Sequence, residues 1–193
     1  MNDAIRQTAQ AIDDEFRSLE FARQAFPMLI DWGVEDFSIT VHSLGCNYLS
    51  ALGRELGFWA ISEYPVRVPR EGAAHSVRPD VAWWARKSGE LALLGEFERF
   101  VPRMPGKLAE KARNLLQAHH TLGEQPRILL LVGWALAGTD IGSLDEVRAV
   151  VHNGFRPPDA PAVPALGQDS VFILAIAVFG DVKNKRRLLR MQL

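Results

Sequence analysis

The stretch from Arg78 to Arg99 constrains this chain most. Val81-Ala-Trp-Trp-Ala85 and Leu91-Ala-Leu-Leu-Gly-Glu-Phe97 are short apolar runs joined by the polar turn Lys87-Ser88-Gly89-Glu90. Paired as a hairpin, they bring the end of the second strand back beside the start of the first. Strand side chains alternate faces, so Glu96 and Glu98 share one face while Gly95, Phe97 and Arg99 take the other. Asp80, at the start of the first strand, then lies across from the Glu pair. Three carboxylates on one patch of a small sheet repel one another unless something cationic sits among them.

The flanking segments read as alternating helices and strands. Ile5, Ala9, Ile12, Phe16 and Leu19 recur at three- and four-residue steps, with Arg6, Asp13, Asp14 and Arg17 on the other side, so residues 3–25 form an amphipathic helix that Phe26-Pro27 breaks or kinks. Met28 to Phe37 is a short apolar piece with a turn at Trp32-Gly33. Ser38 or Asp36 can cap a helix over His42 to Leu56 that stops at Gly57. Its inward stripe reads Leu44, Tyr48, Ala51 or Leu52, and Glu55, which puts a carboxylate on or beside a buried face where it needs a partner; Arg54 and Arg67 are the ordinary candidates. Phe58 to Val68 has strand composition, with Pro65 marking an edge or irregularity. Pro69 to Ser76 reads as a polar loop.

After the hairpin, Lys107 to His120 is a helix with Leu108, Ala112, Leu115, Leu116 and His119 inward, ended by Gly123. The continuous apolar run Arg127 to Trp134 suits a strand covered on both faces. Ser143 caps a short helix to Val151, residues 153–168 form a Pro-, Ala- and Gly-rich excursion, and Val171 to Phe179 is a last buried strand. The basic tail (Lys183, Lys185, Arg186, Arg187, Arg190) fits either a phosphate-contacting arm or a solvated C-terminal helix. The order predicts an α/β fold with a mixed central sheet flanked by helices, whose middle part is α-β-β-β-α-β. The helix between the third and fourth strands is the crossover that a locally parallel pair requires.

With 193 residues, 48% of them hydrophobic and 23% charged, the chain suits one domain. We divide it into an N-terminal helical extension (1–37), the α/β core (38–135) and a C-terminal helix, strand and basic tail (136–193). The net charge of −1 gives no whole-molecule basic field, though it leaves room for a local basic groove. One cysteine, Cys46, excludes an internal disulfide and any cysteine-based zinc cluster, and a reducing, cytoplasmic setting is the simplest expectation. The N-terminus lacks the order of a signal peptide, and no apolar run approaches the roughly 18 residues that span a membrane.

The element order, with carboxylates at these places, resembles the PD-(D/E)xK nuclease superfamily, the restriction-endonuclease-like fold. The resemblance rests on Glu55, Pro79-Asp80, Glu96-Phe97-Glu98 and the helix that follows. It implies a nuclease, an endonuclease or exonuclease hydrolysing DNA phosphodiester bonds with Mg²⁺ or Mn²⁺. The implied metal ligands are Glu55, Asp80 and Glu96. The sequence departs from the family pattern where Glu98 replaces the motif lysine; Lys111, or less directly Lys107, would supply that cation from the next helix, since Lys107, Lys111 and Asn114 share one helical face. Asp80, Glu96, Glu98 and Lys111 are the implied catalytic set, with Glu98 as general base or extra ligand.

The alternatives come from the same residues. Glu96 and Glu98 could simply be the solvent face of a half-exposed strand, with Arg99 and Arg103 as salt-bridge partners. A catalytically degenerate member of the fold, in which Glu98 marks the loss of the motif lysine, would bind nucleic acid or protein without cutting it. A homodimeric interaction protein would use the N-terminal amphipathic helix as its interface. His42 and Cys46, at i and i+4, could hold a metal or simply line a helix. His119-His120 reads as a helix end near the macrodipole's negative pole. Trp83-Trp84 points one ring to each face, one for the core and one to stack on a base or a neighbouring element.

Overall fold

The computed structural model describes residues 2–35, 39–69, 75–104, 106–158 and 160–193. Its central feature is a six-stranded mixed sheet built from β1 (Phe58–Ser62), β4 (Val81–Ala85), β5 (Leu91–Arg99), β6 (Ile128–Leu136), β7 (Val171–Val182) and β8 (Lys185–Gln192), in the order β1-β4-β5-β6-β7-β8. Strands β5, β6 and β7 run parallel, and β1, β4 and β8 are antiparallel to their neighbours. β2 (Val66–Val68) and β3 (His75–Val77) form a separate two-stranded ribbon. The expected parallel pair is β5 with β6, and its crossover is helix α4 (Gly106–Thr121). α5 (Asp145–Asn153) makes the second crossover, and the Ser143 hydroxyl accepts from the Asp145 N–H at its start.

Helices cover both faces. On one side, α1 (Asp3–Ser18), α2 (Glu20–Ala25) and α3 (Thr40–Glu55) enclose Phe16, Tyr48, Leu52, Trp83, Phe97 and Trp134. On the other, α4 and α5 enclose Leu94, Leu108, Leu115, Leu129, Leu131 and Val150. Residues of β5 alternate between these layers: Leu93 and Phe97 face α3, while Leu94 belongs to the α4 layer. α3 lies very close to the sheet because Gly45 and Gly53 face it. A methyl group on Gly45 would enter the Phe97 ring, and one on Gly53 would come within 2.6 Å of Trp83.

Four expectations need correction. The N-terminal helix breaks at Leu19, whose φ is 53°, and the break is stabilised by Glu15. This buried carboxylate accepts the Phe21 and Ala22 N–H groups at the start of α2 at 2.9 and 3.0 Å, and the Tyr48 hydroxyl at 2.7 Å. Replacing Glu15 with Ala strands all three donors, so urea unfolding is expected to show a loss of about 2–3 kcal/mol at unchanged m-value. Second, α1 packs on β7 and β8 and buries Ile12 and Phe16 within the chain, so its apolar side is spent on this fold rather than offered to a second copy. Third, residues 58–68 form two strands, interrupted by Glu63 at φ 55°, and the supposed loop after Pro69 contains β3. Fourth, the basic tail is neither arm nor helix. It turns at Lys183 and Asn184, both with positive φ, and returns as edge strand β8 along β7. Arg186 pairs with Asp181, while its backbone bridges Val34. The proposed cap residues Asp36 and Ser38 lie outside the described residues.

Candidate metal centre at the mouth of the β4–β5 hairpin

The hairpin forms as the sequence implies, with Val81 opposite Gly95. β4 stops there, and Glu96 to Arg99 continue without a β4 partner. Beyond that point the open side of β5 is closed by side chains. The Phe97 N–H donates to Asp80 Oδ2 at 2.8 Å, and the Phe97 carbonyl lies 2.6 Å from His42 Nδ1. Asp80 is itself pinned through its backbone, since its carbonyl accepts the Glu63 N–H at 2.9 Å. The end of the sheet thus lets a helix from one layer reach carboxylates that belong to the other.

Asp80, Glu96 and Glu98 come together as predicted, and α4 brings two lysines to them. Lys111 Nζ lies 2.8 Å from Glu96 Oε2 and 3.6 Å from Glu98 Oε2. Lys107 Nζ lies 2.6 Å from Glu98 Oε1, which also accepts the Arg99 N–H. The i, i+4 spacing of the lysines on α4 matches the i, i+2 spacing of the glutamates on β5, so each cation meets a carboxylate.

Glu96 is the most deeply buried member, 1% exposed. Its Oε1 has no hydrogen-bond partner, and its carboxyl faces Asp80. Burial, and then the Asp80 charge, hold this carboxyl well above the ordinary range, although Lys111 pulls it partly back. Burial disfavours the Lys111 ammonium, but Glu96, Asp80 and Glu98 outweigh it and keep the group charged. The Asp80–Glu96 pair therefore needs either a shared proton or a cation between its oxygens. An orphaned buried carboxylate oxygen beside a second carboxylate is a hard oxygen donor set, which fits a magnesium or manganese ion.

Glu55 does not join this group. It is exposed near the end of α3, in a shallow groove with Asp14, Glu15, Ser18, Glu20, Phe21 and Gln24. His42, the α3 residue that meets Asp80, is about 20 Å away along the helix at 1.5 Å per residue. The stripe containing Leu44, Tyr48 and Glu55 faces the N-terminal helices, and the face on the sheet carries His42, Cys46, Leu49 and Gly53 instead. The pair Gly45 and Gly53, two turns apart, was the sequence signal for that close face.

His119 is fully buried and its Nδ1 lies 3.0 Å from the Pro126 carbonyl; His120 Nε2 lies 3.0 Å from the Pro164 carbonyl. Both rings anchor loops at the end of α4, with Glu124 beside them. Trp83 is core, and Trp84 packs edge-on against Tyr64, a neighbouring element. Two clefts of about 570 and 610 Å³ lie elsewhere, one around Asn2, Phe58 and Glu90 and one between α5 and β7. The carboxylate site lies outside both clefts. Among the described residues, no helix is long and apolar enough to cross a membrane.

Comparison of the chain with family models, with curated proteins and with solved structures gave no significant match. The fold and the site therefore define a mixed α/β protein with an acidic, lysine-buttressed sheet end.

Proposed function

We propose that the chain is a divergent nuclease of the restriction-endonuclease-like kind, hydrolysing DNA phosphodiester bonds with a magnesium or manganese ion. The observation that carries this reading is the buried Asp80–Glu96 carboxylate pair, with its orphaned oxygen and with Lys111 Nζ 2.8 Å from Glu96. Asp80 and Glu96 would hold the ion. When bound, such an ion neutralises phosphate charge and lowers the pKa of a coordinated water.

The chain's own residues supply the rest. Lys111 stands in for the motif lysine and places a fixed ammonium where negative charge grows on the phosphate. Glu98, whose oxygens already engage Lys107, Lys111 and the Arg99 N–H, acts as a positioning residue for the two lysines rather than as a free base. Arg103 and Lys107, on the segment that follows β5, would steady flanking phosphates.

The test is Mg²⁺- or Mn²⁺-dependent cleavage of plasmid and single-stranded DNA by wild type and Glu96→Gln. Loss of cleavage in the variant supports the reading; equal cleavage by both discards the site.

A second reading follows from the lysine contacts. Lys107 and Lys111 already neutralise much of the carboxylate charge, as expected of a degenerate site that binds nucleic acid or protein without cutting it. Titration with Mn²⁺ separates the two: a working site binds it, whereas a degenerate one shows nothing above background.

A further inference from the structure

His42 has two ring nitrogens with different tasks. Nδ1 lies 2.6 Å from the Phe97 carbonyl oxygen, which can only accept, so Nδ1 carries the proton. In the neutral ring this leaves the lone pair on Nε2. That nitrogen sits 3.7 Å from Asp80 Oδ1 and 3.6 Å from the sulfur of Cys46. The three ligand atoms all lie within 4.8 Å of one another.

The two separations from Nε2 are close to the edges of a tetrahedron. With metal–sulfur and metal–nitrogen bonds of about 2.3 and 2.0 Å, tetrahedral zinc sets sulfur and nitrogen about 3.5 Å apart, and nitrogen and oxygen about 3.3 Å apart. The Nδ1–H bond to a backbone carbonyl is the outer contact that orients a metal-ligating histidine. Asp80 Oδ2 is likewise fixed by the Phe97 N–H, which leaves Oδ1 turned toward His42. The half-exposed His42 ring gives access from solvent. One thiolate does not build a cysteine cluster, but a mixed sulfur, imidazole and carboxylate set needs only one.

We propose that His42, Cys46 and Asp80 form a binding site for a thiophilic divalent cation of the zinc class, with the fourth position open to water. The donor chemistry separates this site from the hard-oxygen pair Asp80–Glu96: zinc and cobalt accept thiolate and imidazole, whereas magnesium favours oxygen. The two sites share Asp80, so a cation at one withdraws a ligand from the other. The proposal stands whether or not the chain cleaves DNA. Binding through the sulfur must displace the thiol proton of Cys46.

Cobalt(II) reports the site directly, because Cys46 is the only cysteine in the chain. Equimolar Co²⁺ added to the full chain should produce a thiolate-to-cobalt charge-transfer band. Equimolar Zn²⁺ should bleach it and excess Mg²⁺ should not. Cys46→Ser and His42→Gln, checked by circular dichroism to be folded, should lose the band, while Glu96→Gln should keep it. No band in the wild type, or a band that survives in Cys46→Ser, overturns the proposal. A negative cleavage assay with a positive cobalt band would sink the nuclease reading and leave this site standing.

Discussion

Asp80→Asn is expected to abolish divalent-metal-dependent cleavage, with a fall of at least about 10²-fold, while leaving the fold intact. The substitution is nearly isosteric. The amide oxygen still accepts the Phe97 N–H, and the backbone carbonyl still accepts the Glu63 N–H. What disappears is one negative charge facing Glu96. That charge raises the Glu96 carboxyl in the wild type, so its removal lets Glu96 ionise more readily beside Lys111. Thermal unfolding should therefore change little while Mn²⁺ affinity collapses. Cleavage equal to wild type would remove Asp80 from the mechanism.

Lys111→Met should have the largest effect on stability, a loss of about 3 kcal/mol near neutral pH by urea unfolding. The methionine keeps the packing of the stem but leaves Glu96 buried without its cation. The pH dependence follows from the direction of the shift. Glu96 titrates above its usual value near 4.5 in the folded chain, so the folded protein holds this proton more tightly than the unfolded one. Its contribution is complete below the unfolded value and is lost as pH rises through the folded value. Removing Lys111 raises the folded value further, so the variant's deficit should be small in acid and grow toward neutrality. Adding Glu96→Gln to Lys111→Met should recover part of the loss. A deficit independent of pH, or no recovery, would mean that the pair is not what holds this corner.

Much of this corner was legible because it depends on short-range periodicity. Alternation along β5 put Glu96 and Glu98 on one face, the tight turn returned Asp80 beside them, and helical spacing put Lys107 and Lys111 on one side of α4. Glu55 was misplaced for a different reason. The α3 helix has two apolar sides, one toward α1 and α2 and one toward the sheet, and a stripe of Leu44, Tyr48 and Leu52 does not say which partner it meets. The role of His42 depends on where β4 ends relative to β5, a property of pairing register that no local pattern carries. The strand β8 was hidden by its charge. Lys and Arg on an exposed edge strand discourage pairing with other chains, and the same residues resemble a solvated helix or a phosphate-binding arm when read in isolation.

Gly45 and Gly53 work as a spacer of zero thickness between α3 and the sheet. The acidic residues and lysines come from one continuous span, 80–111, outside α3. The imidazole and the thiol travel with the helix. Raising α3 by the width of one methyl group would draw both away from Asp80 and leave the oxygen donors in place. On the two sites proposed above, the balance between a soft and a hard cation would then depend on two positions that carry no side chain, rather than on any ligand.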